Sequence, residues 1–264
     1  MKKVILSCAV ISAILGAQSA KAQLVDEKNV TITMDLQPIL QLDMTGPQNI
    51  DFVFDQIAEY VGGITQYGVT QLKVSSSVSW DLYAVGYASG GTNWDVQVEY
   101  GTAGDALATN VLPCALLELR QNQANLDYAG YAGLVAGNND YNTAFGPSPV
   151  ITGANNIYAS ANPYTLPTNT QKYIAGGTAG TDYVPGGTYL VLGGGPPTVV
   201  GAASKYYYNI DYRIVPGLPA IFPNAAGNDG ITPLALNLPS PANDGRYAQP
   251  GVYTMNVKYV LREN

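Results

Sequence analysis

The sequence predicts an all-β fold: short antiparallel strands packed as a sandwich or barrel. Three observations carry the prediction. Apolar residues recur at every second position in many short runs, aromatic and β-branched residues fill those runs, and clusters of Gly, Pro and Asn separate them. Successive side chains point to opposite faces of a strand, so this alternation marks a strand with one buried face. The chain has 264 residues, of which 47% are hydrophobic and only 12% charged, a balance that argues for a packed core and against disorder.

The first segment reads as an export signal. Lys2 and Lys3 precede an apolar run from Val4 to Ala17, and the small-residue triplet Ala20-Lys21-Ala22 follows. This pattern predicts a secretory signal peptide over residues 1–22, cut before Gln23. The run is shorter than the roughly 20 residues that a membrane-spanning helix needs, so no membrane insertion is expected after cleavage. Residues 23–264 are then expected to form a single β-sandwich domain.

Val30, Ile32, Met34 and Leu36 alternate with Thr31, Thr33 and Asp35, which predicts the first strand. Pro38 interrupts it, and Leu40, Leu42 and Met44 resume the alternation. Ile50, Phe52 and Phe54 follow a Gly46-Pro47 turn signal. Leu72 and Val74, then Val78, Trp80, Leu82 and Ala84, read as one long strand with Ser75 to Ser77 in its middle. Trp94, Val96, Val98 and Tyr100 make another after Gly90-Gly91. Ala115–Gln121 fits a helix or a strand equally well. Near the end, Tyr206, Tyr208, Ile210, Tyr212 and Ile214 share one face, and Tyr253, Met255, Val257, Tyr259 and Leu261 mark a closing strand. Residues 121–200 break this regularity with Gly, Asn, Thr and Tyr, and are expected to be a long insertion of loops and short hairpins. Such a loop either makes contacts or decorates the domain.

Charge and composition exclude several functions. Loss of residues 1–22 removes three of the 12 basic residues and none of the 19 acidic ones, leaving a net charge of −10. Nucleic-acid binding needs clustered Lys and Arg to displace counterions, so no nucleic-acid partner is expected. Nothing in the mature chain draws it to an anionic lipid surface. The chain has no His, which rules out imidazole as base, proton shuttle or metal ligand. Cys114 is the one cysteine of the mature chain, so no internal disulfide can form, and it reads as a small buried hydrophobe.

Candidate chemistry is sparse. Asp51, Asp55, Asp81 and Glu99 fall on polar faces of alternating strands and read as solvated surface rather than as paired catalytic carboxylates. No catalytic residue, and so no enzyme activity, is expected. The turns Gly137–Asp140, Gly227–Gly230 and Asn243–Gly245 offer oxygen ligands for Ca²⁺, but none has the full loop spacing, and such pairs are ordinary turn formers. Gly193-Gly194-Gly195 lacks the Lys-Ser/Thr of a phosphate loop. Exposed tyrosines of the insertion suit sugar rings and protein partners alike. Trp80 is expected to be a core residue, since burying an indole removes roughly 150–250 Å² from water.

Two passages carry a resemblance. The run Leu72–Leu82 has the shape L-x-V, turn, W-x-L through Trp80 and Leu82, and the chain ends Gly251-Val252-Tyr253-Thr254 and on through Tyr259 to Leu261. This resembles bacterial WxL-type surface domains and the fimbrial-like β-sandwich domains of Gram-negative envelopes. Tyr259 stands where a WxL domain carries a second Trp. The resemblance implies an immunoglobulin-like sandwich at the bacterial cell surface. The layout is also similar to that of pilus subunits, in which an N-terminal strand of one subunit completes the sheet of the next. Val30–Leu36 would be that strand, or would pair within its own domain; the short, charged lead Gln23–Asn29 favours the latter. The expected role is a secreted structural or adhesive surface subunit that associates with itself or with other envelope proteins. The alternative is a module that binds peptidoglycan or another glycan.

Overall fold

The computed structural model describes residues 26–89, 91–101, 108–122, 141, 143–147, 151–169, 172–178, 183–190, 206–216 and 247–264. The chain divides into two units, Met1–Gln37 and Pro38–Asn264. In the first, the described residues 26–37 have neither helix nor strand, and Val30, Ile32, Met34 and Leu36 are 77–87% exposed. The strand expected over Val30–Leu36 is therefore absent. Alternation prepares one face for burial, but a strand also needs a neighbour for its N–H and C=O groups.

The second unit holds twelve described strands: β1 (Leu40–Thr45), β2 (Thr65–Ser76), β3 (Trp80–Tyr87), β4 (Asp95–Glu99), β5 (Ala108–Thr109), β6 (Leu117–Gln121), β7 (Tyr173–Ala175), β8 (Gly187–Thr188), β9 (Tyr207–Ile214), β10 (Tyr247–Ala248), β11 (Gly251–Thr254) and β12 (Asn256–Glu263). One sheet has the order β1-β2-β9-β6, with β8 also paired to β2; a second has the order β12-β3-β7. All pairings within both are antiparallel. Two small pairs, β4 with β11 and β5 with β10, complete the set. The inward faces of the two main sheets meet in one core, with Leu72 and Val74 from β2, Trp80, Leu82 and Ala84 from β3, Leu117 and Leu119 from β6, and Tyr208, Ile210, Tyr212 and Ile214 from β9. The chain is an all-β sandwich.

Several elements differ from their expectation for local reasons. The long strand expected over residues 72–84 is two strands in different sheets. Ser76 Oγ accepts from the Val78 N–H at 3.1 Å and donates to the Val78 carbonyl at 2.6 Å, which closes the turn that carries the chain across. Leu72 and Trp80 consequently face each other across the core instead of sharing a strand. Ala115–Gln121 resolves into a 3₁₀ turn, Cys114–Leu116, and strand β6. The closing strand is likewise split at Met255, so that β11 pairs with β4 and β12 with β3. Ile50, Phe52 and Phe54 pack partly buried against the core from a segment that forms no strand.

Among the described residues one α-helix, α1 (Ile57–Gly62), interrupts the strands. Glu59 Oε2 accepts the backbone N–H groups of Asp55 and Gln56 at 2.8 and 2.9 Å, satisfying donors at the helix start. These bonds hold its carboxyl below the usual range. The span 121–200 is not only loop. It supplies β7 to one sheet and β8 to the other, and Tyr141, Ile157, Ile174 and Val184 to the core.

Candidate functional site

Trp80 is fully buried against Tyr206 and Tyr208, with ring centroids 6.2 and 6.5 Å away. Its Nε1 has no hydrogen-bond partner among the described residues. Leu82, on the same face of β3, is also fully buried. Leu261 pairs with Leu82 across the β3–β12 ladder and is partly buried. Tyr259, two residues earlier on that inward face, makes a short hydroxyl contact with Tyr212 of β9, whose hydroxyl donates to Thr70 Oγ1 at 2.6 Å. A polar chain therefore joins the two sheets through the core. Burial, reinforced by the Tyr212 hydroxyl, holds Tyr259 well above the ordinary phenol range.

Gly251 opens β11 opposite Glu99, and a Cβ there would lie 2.5 Å from the Val98 carbonyl oxygen. Only glycine permits that approach. Tyr253 lies in a second apolar cluster with Leu112, Leu116, Val215 and Ala248, and its hydroxyl donates to the Gln249 carbonyl at 2.6 Å. Burial, then the charge of Glu99, pushes its phenol up to about 12. Gly251, Tyr253, Tyr259, Leu261, Trp80 and Leu82 thus lie in ladders, clusters and core. Val30, Ile32, Met34 and Leu36 lie in the other unit.

The two main sheets leave edges. β1 pairs only with β2, and β12 only with β3, among the described residues. These two edge strands lie beside one another, and their inward residues Leu42, Val257, Tyr259 and Leu261 are only partly buried. An edge of this kind presents unpaired N–H and C=O groups beside incompletely covered apolar side chains.

The outward faces carry features that alternation does not reveal. On β9, Arg213 faces Glu118 of β6, and Arg213 Nε donates to Glu118 Oε2 at 2.5 Å. Both side chains are almost fully buried, the guanidinium lies 4.5 Å from the Phe145 ring centre, and a second nitrogen donates to the Gly146 carbonyl at 2.8 Å. Desolvation raises the Glu118 carboxyl, against the opposing pull of Arg213. Asp211, also buried, accepts the Gly68 N–H at 2.6 Å and the Asn122 side chain at 2.8 Å, pinning an irregularity of β2 that Gly68 allows with a φ of 61°. Heptad-free alternation reads these positions as solvent-facing; cross-strand charge matching was the signal available.

On the second sheet, Tyr83 and Tyr173 pack edge to face at 5.5 Å, and Val85, Tyr158, Tyr164 and Val260 join them in an outward apolar cluster. The tyrosine-rich segment around Tyr158–Pro167 is thereby folded onto the sheet. Tyr158 donates to the Leu166 carbonyl at 3.2 Å and Tyr173 to the Pro167 carbonyl at 3.1 Å. Lys258 projects from the exposed side of β12, its Nζ 5.3 Å from the Tyr87 ring centre and 4.9 Å from that of Tyr164.

Among the described residues, no three Cys, Asp or Glu side chains converge on a point that could hold a metal ion. The three turns that offer oxygen ligands for Ca²⁺ and the Gly193–Gly195 run lie outside the described residues. Cys114 is buried, and desolvation, then the charge of Asp95, pushes its thiol up to about 12, which suppresses the reactive thiolate. No family model and no curated protein matches the chain.

Proposed function

We propose that this chain is an exported structural or adhesive subunit of a bacterial surface, associating with its own copies or with other envelope proteins through extended segments, and that it performs no catalysis. The observation that carries the reading is the exposed stripe Val30, Ile32, Met34 and Leu36 in a segment without strand or helix. Exposed apolar alternation of this kind is a liability unless something covers it. Donation to the open edge of a neighbouring copy would pair its backbone and bury that stripe. The partly covered edges β1 and β12 support the reading from the acceptor's side.

The test compares the mature chain with a variant lacking residues 23–37, by light scattering and electron microscopy. The mature chain is expected to form oligomers or filaments, and the deletion variant a monomer with the same strand content by circular dichroism. An unfolded deletion variant would make the segment an internal strand. A mature chain that stays monomeric at high concentration would remove strand donation altogether.

A further inference from the structure

The outward face of β12 carries a second feature, separate from the stripe at residues 30–36. Lys258, Val260 and Arg262 alternate along it, opposite Val85, Tyr83 and Asp81 of β3. Lys258 and Arg262 are exposed, and neither has a carboxylate partner among the described residues. Asp81, the acid nearest in register to Arg262, is buried and accepts the Asn264 side chain at 3.2 Å and the Gly177 N–H at 3.4 Å.

The Lys258 ammonium lies over the rings of Tyr87 and Tyr164, both half-buried, so part of each ring stays open to solvent. A cation near two aromatic rings is drawn toward their faces, which favours this placement of the side chain before any ligand arrives. Tyr164 is itself anchored, since the adjacent Thr165 N–H donates to Ser160 Oγ at 3.0 Å. The surface thus groups a cation, two aromatic rings beside it, and a second cation four residues along the strand, about 13 Å away at the usual rise.

We infer that this face binds a carboxylate-bearing polysaccharide, with Lys258 taking a sugar carboxylate, Tyr87 and Tyr164 packing on the ring beside it, and Arg262 taking a carboxylate further along the chain. Charge complementarity argues for the anion. The mature protein carries a net charge of −10, and Lys258, without a carboxylate partner among the described residues, is an exposed positive charge on a chain poor in them. The spacing of the cations fits a polymer with repeated charges rather than one small acid. Aromatic rings beside the cation favour a sugar, which offers an apolar ring face, over an acidic peptide. The inference deepens the adhesive reading and rests on it, but does not depend on strand donation.

The test titrates the mature protein with oligogalacturonate and with its methyl ester, in which the same sugars carry no charge. The acid form is expected to bind, with affinity falling as salt rises. The ester should bind about ten-fold or more weakly, the scale of one charge-assisted contact. Lys258→Met should weaken the acid form by a similar factor at unchanged Tm, Lys258→Arg should retain it, and Tyr164→Ala should weaken both ligands. Equal binding of the two polymers, no binding of the acid form, or indifference to Lys258→Met would overturn the inference. So would oligomers that dissociate on Lys258→Met, since the occupant would then be a second copy. Repeating the titration on the variant lacking residues 23–37 keeps the two readings apart: binding that survives while oligomers vanish upholds both, and oligomers without binding remove this one alone.

Discussion

Replacing Trp80 by alanine tests the core most directly. The indole is fully buried between the two sheets, so truncation removes roughly 150–250 Å² of buried apolar surface, about 4–6 kcal/mol at 25 cal/mol per Å². Two effects act against each other from there. The cavity left behind adds to the loss, because the surrounding strands are fixed by their ladders. Removing Nε1, which has no partner among the described residues, relieves a desolvation penalty of about 1–3 kcal/mol. The net expectation is about 3–5 kcal/mol for Trp80→Ala, and only about 1–2 kcal/mol for Trp80→Phe, which keeps a ring and loses the orphaned donor. Urea denaturation followed by circular dichroism measures both, and a domain of this size should lose roughly 10 °C in Tm with the alanine variant. Trp94 is the only other tryptophan, so fluorescence then reports the second cluster, where its Nε1 donates to the Pro113 carbonyl at 3.1 Å. An alanine variant with unchanged stability, or a phenylalanine variant as damaged as the alanine one, would refute the assignment of Trp80 to the core.

The remaining predictions concern charge. Arg213→Met should cost about 3–5 kcal/mol at neutral pH, because it strands a buried Glu118, whereas converting both residues to Met should cost much less. The single variant should recover stability as pH falls and Glu118 takes up a proton; denaturation at pH 5 and pH 8 checks this. The buried tyrosines set an alkaline limit. Burial, then neighbouring tyrosines, pushes Tyr83 up to about 12, as burial and Glu99 do for Tyr253. A phenol raised in the folded state contributes stability that is complete below its unfolded value near 10 and is lost as pH rises from there through 12. Tm should therefore be level up to about pH 9 and fall steeply above pH 10, with delayed phenolate absorbance; titration of every tyrosine near 10 would contradict it.

How far the sequence carries the fold follows from which interactions repeat with period two. Tyr208, Ile210, Tyr212 and Ile214 are legible because each second residue of β9 enters the same core. Trp80 and Leu82 are legible on the same ground. The division of the run from Leu72 to Ala84 between two sheets is not, since both halves face one core and keep one alternation; the turn depends on Ser76 Oγ bonding to Val78. The absence of a strand at Val30–Leu36 is equally invisible, because periodicity records a face fit for burial and not whether anything buries it. β7 and β8 are too short for any pattern to show. On the outward faces, Glu118, Asp211 and Arg213 look solvated by alternation, and their burial depends on segments remote in sequence, such as the one bearing Phe145 and Gly146.

The placement of the cations gives the surface reading its force. A chain this poor in positive charge uses two of its basic residues to join its own segments. Arg213 is consumed by Glu118 and the Gly146 carbonyl. Lys172 donates to the carbonyls of Gly153 and Asn156 at 2.8 and 2.6 Å and lies 5.7 Å from the Tyr141 ring centre, tying strand β7 to the segment beside β6. Those contacts account for their positions by folding alone. Lys258 and Arg262 have no such account: their sheet is already paired through β3 and β12, and the outward apolar cluster is closed by tyrosines and Val260. Lysine on an edge strand does discourage unwanted pairing. That role needs only an exposed charge and gives no part to the rings of Tyr87 and Tyr164 beside Lys258. Blocking an edge would leave Tyr87→Ala and Tyr164→Ala without effect on ligands, whereas recognition of an anionic sugar makes both rings count.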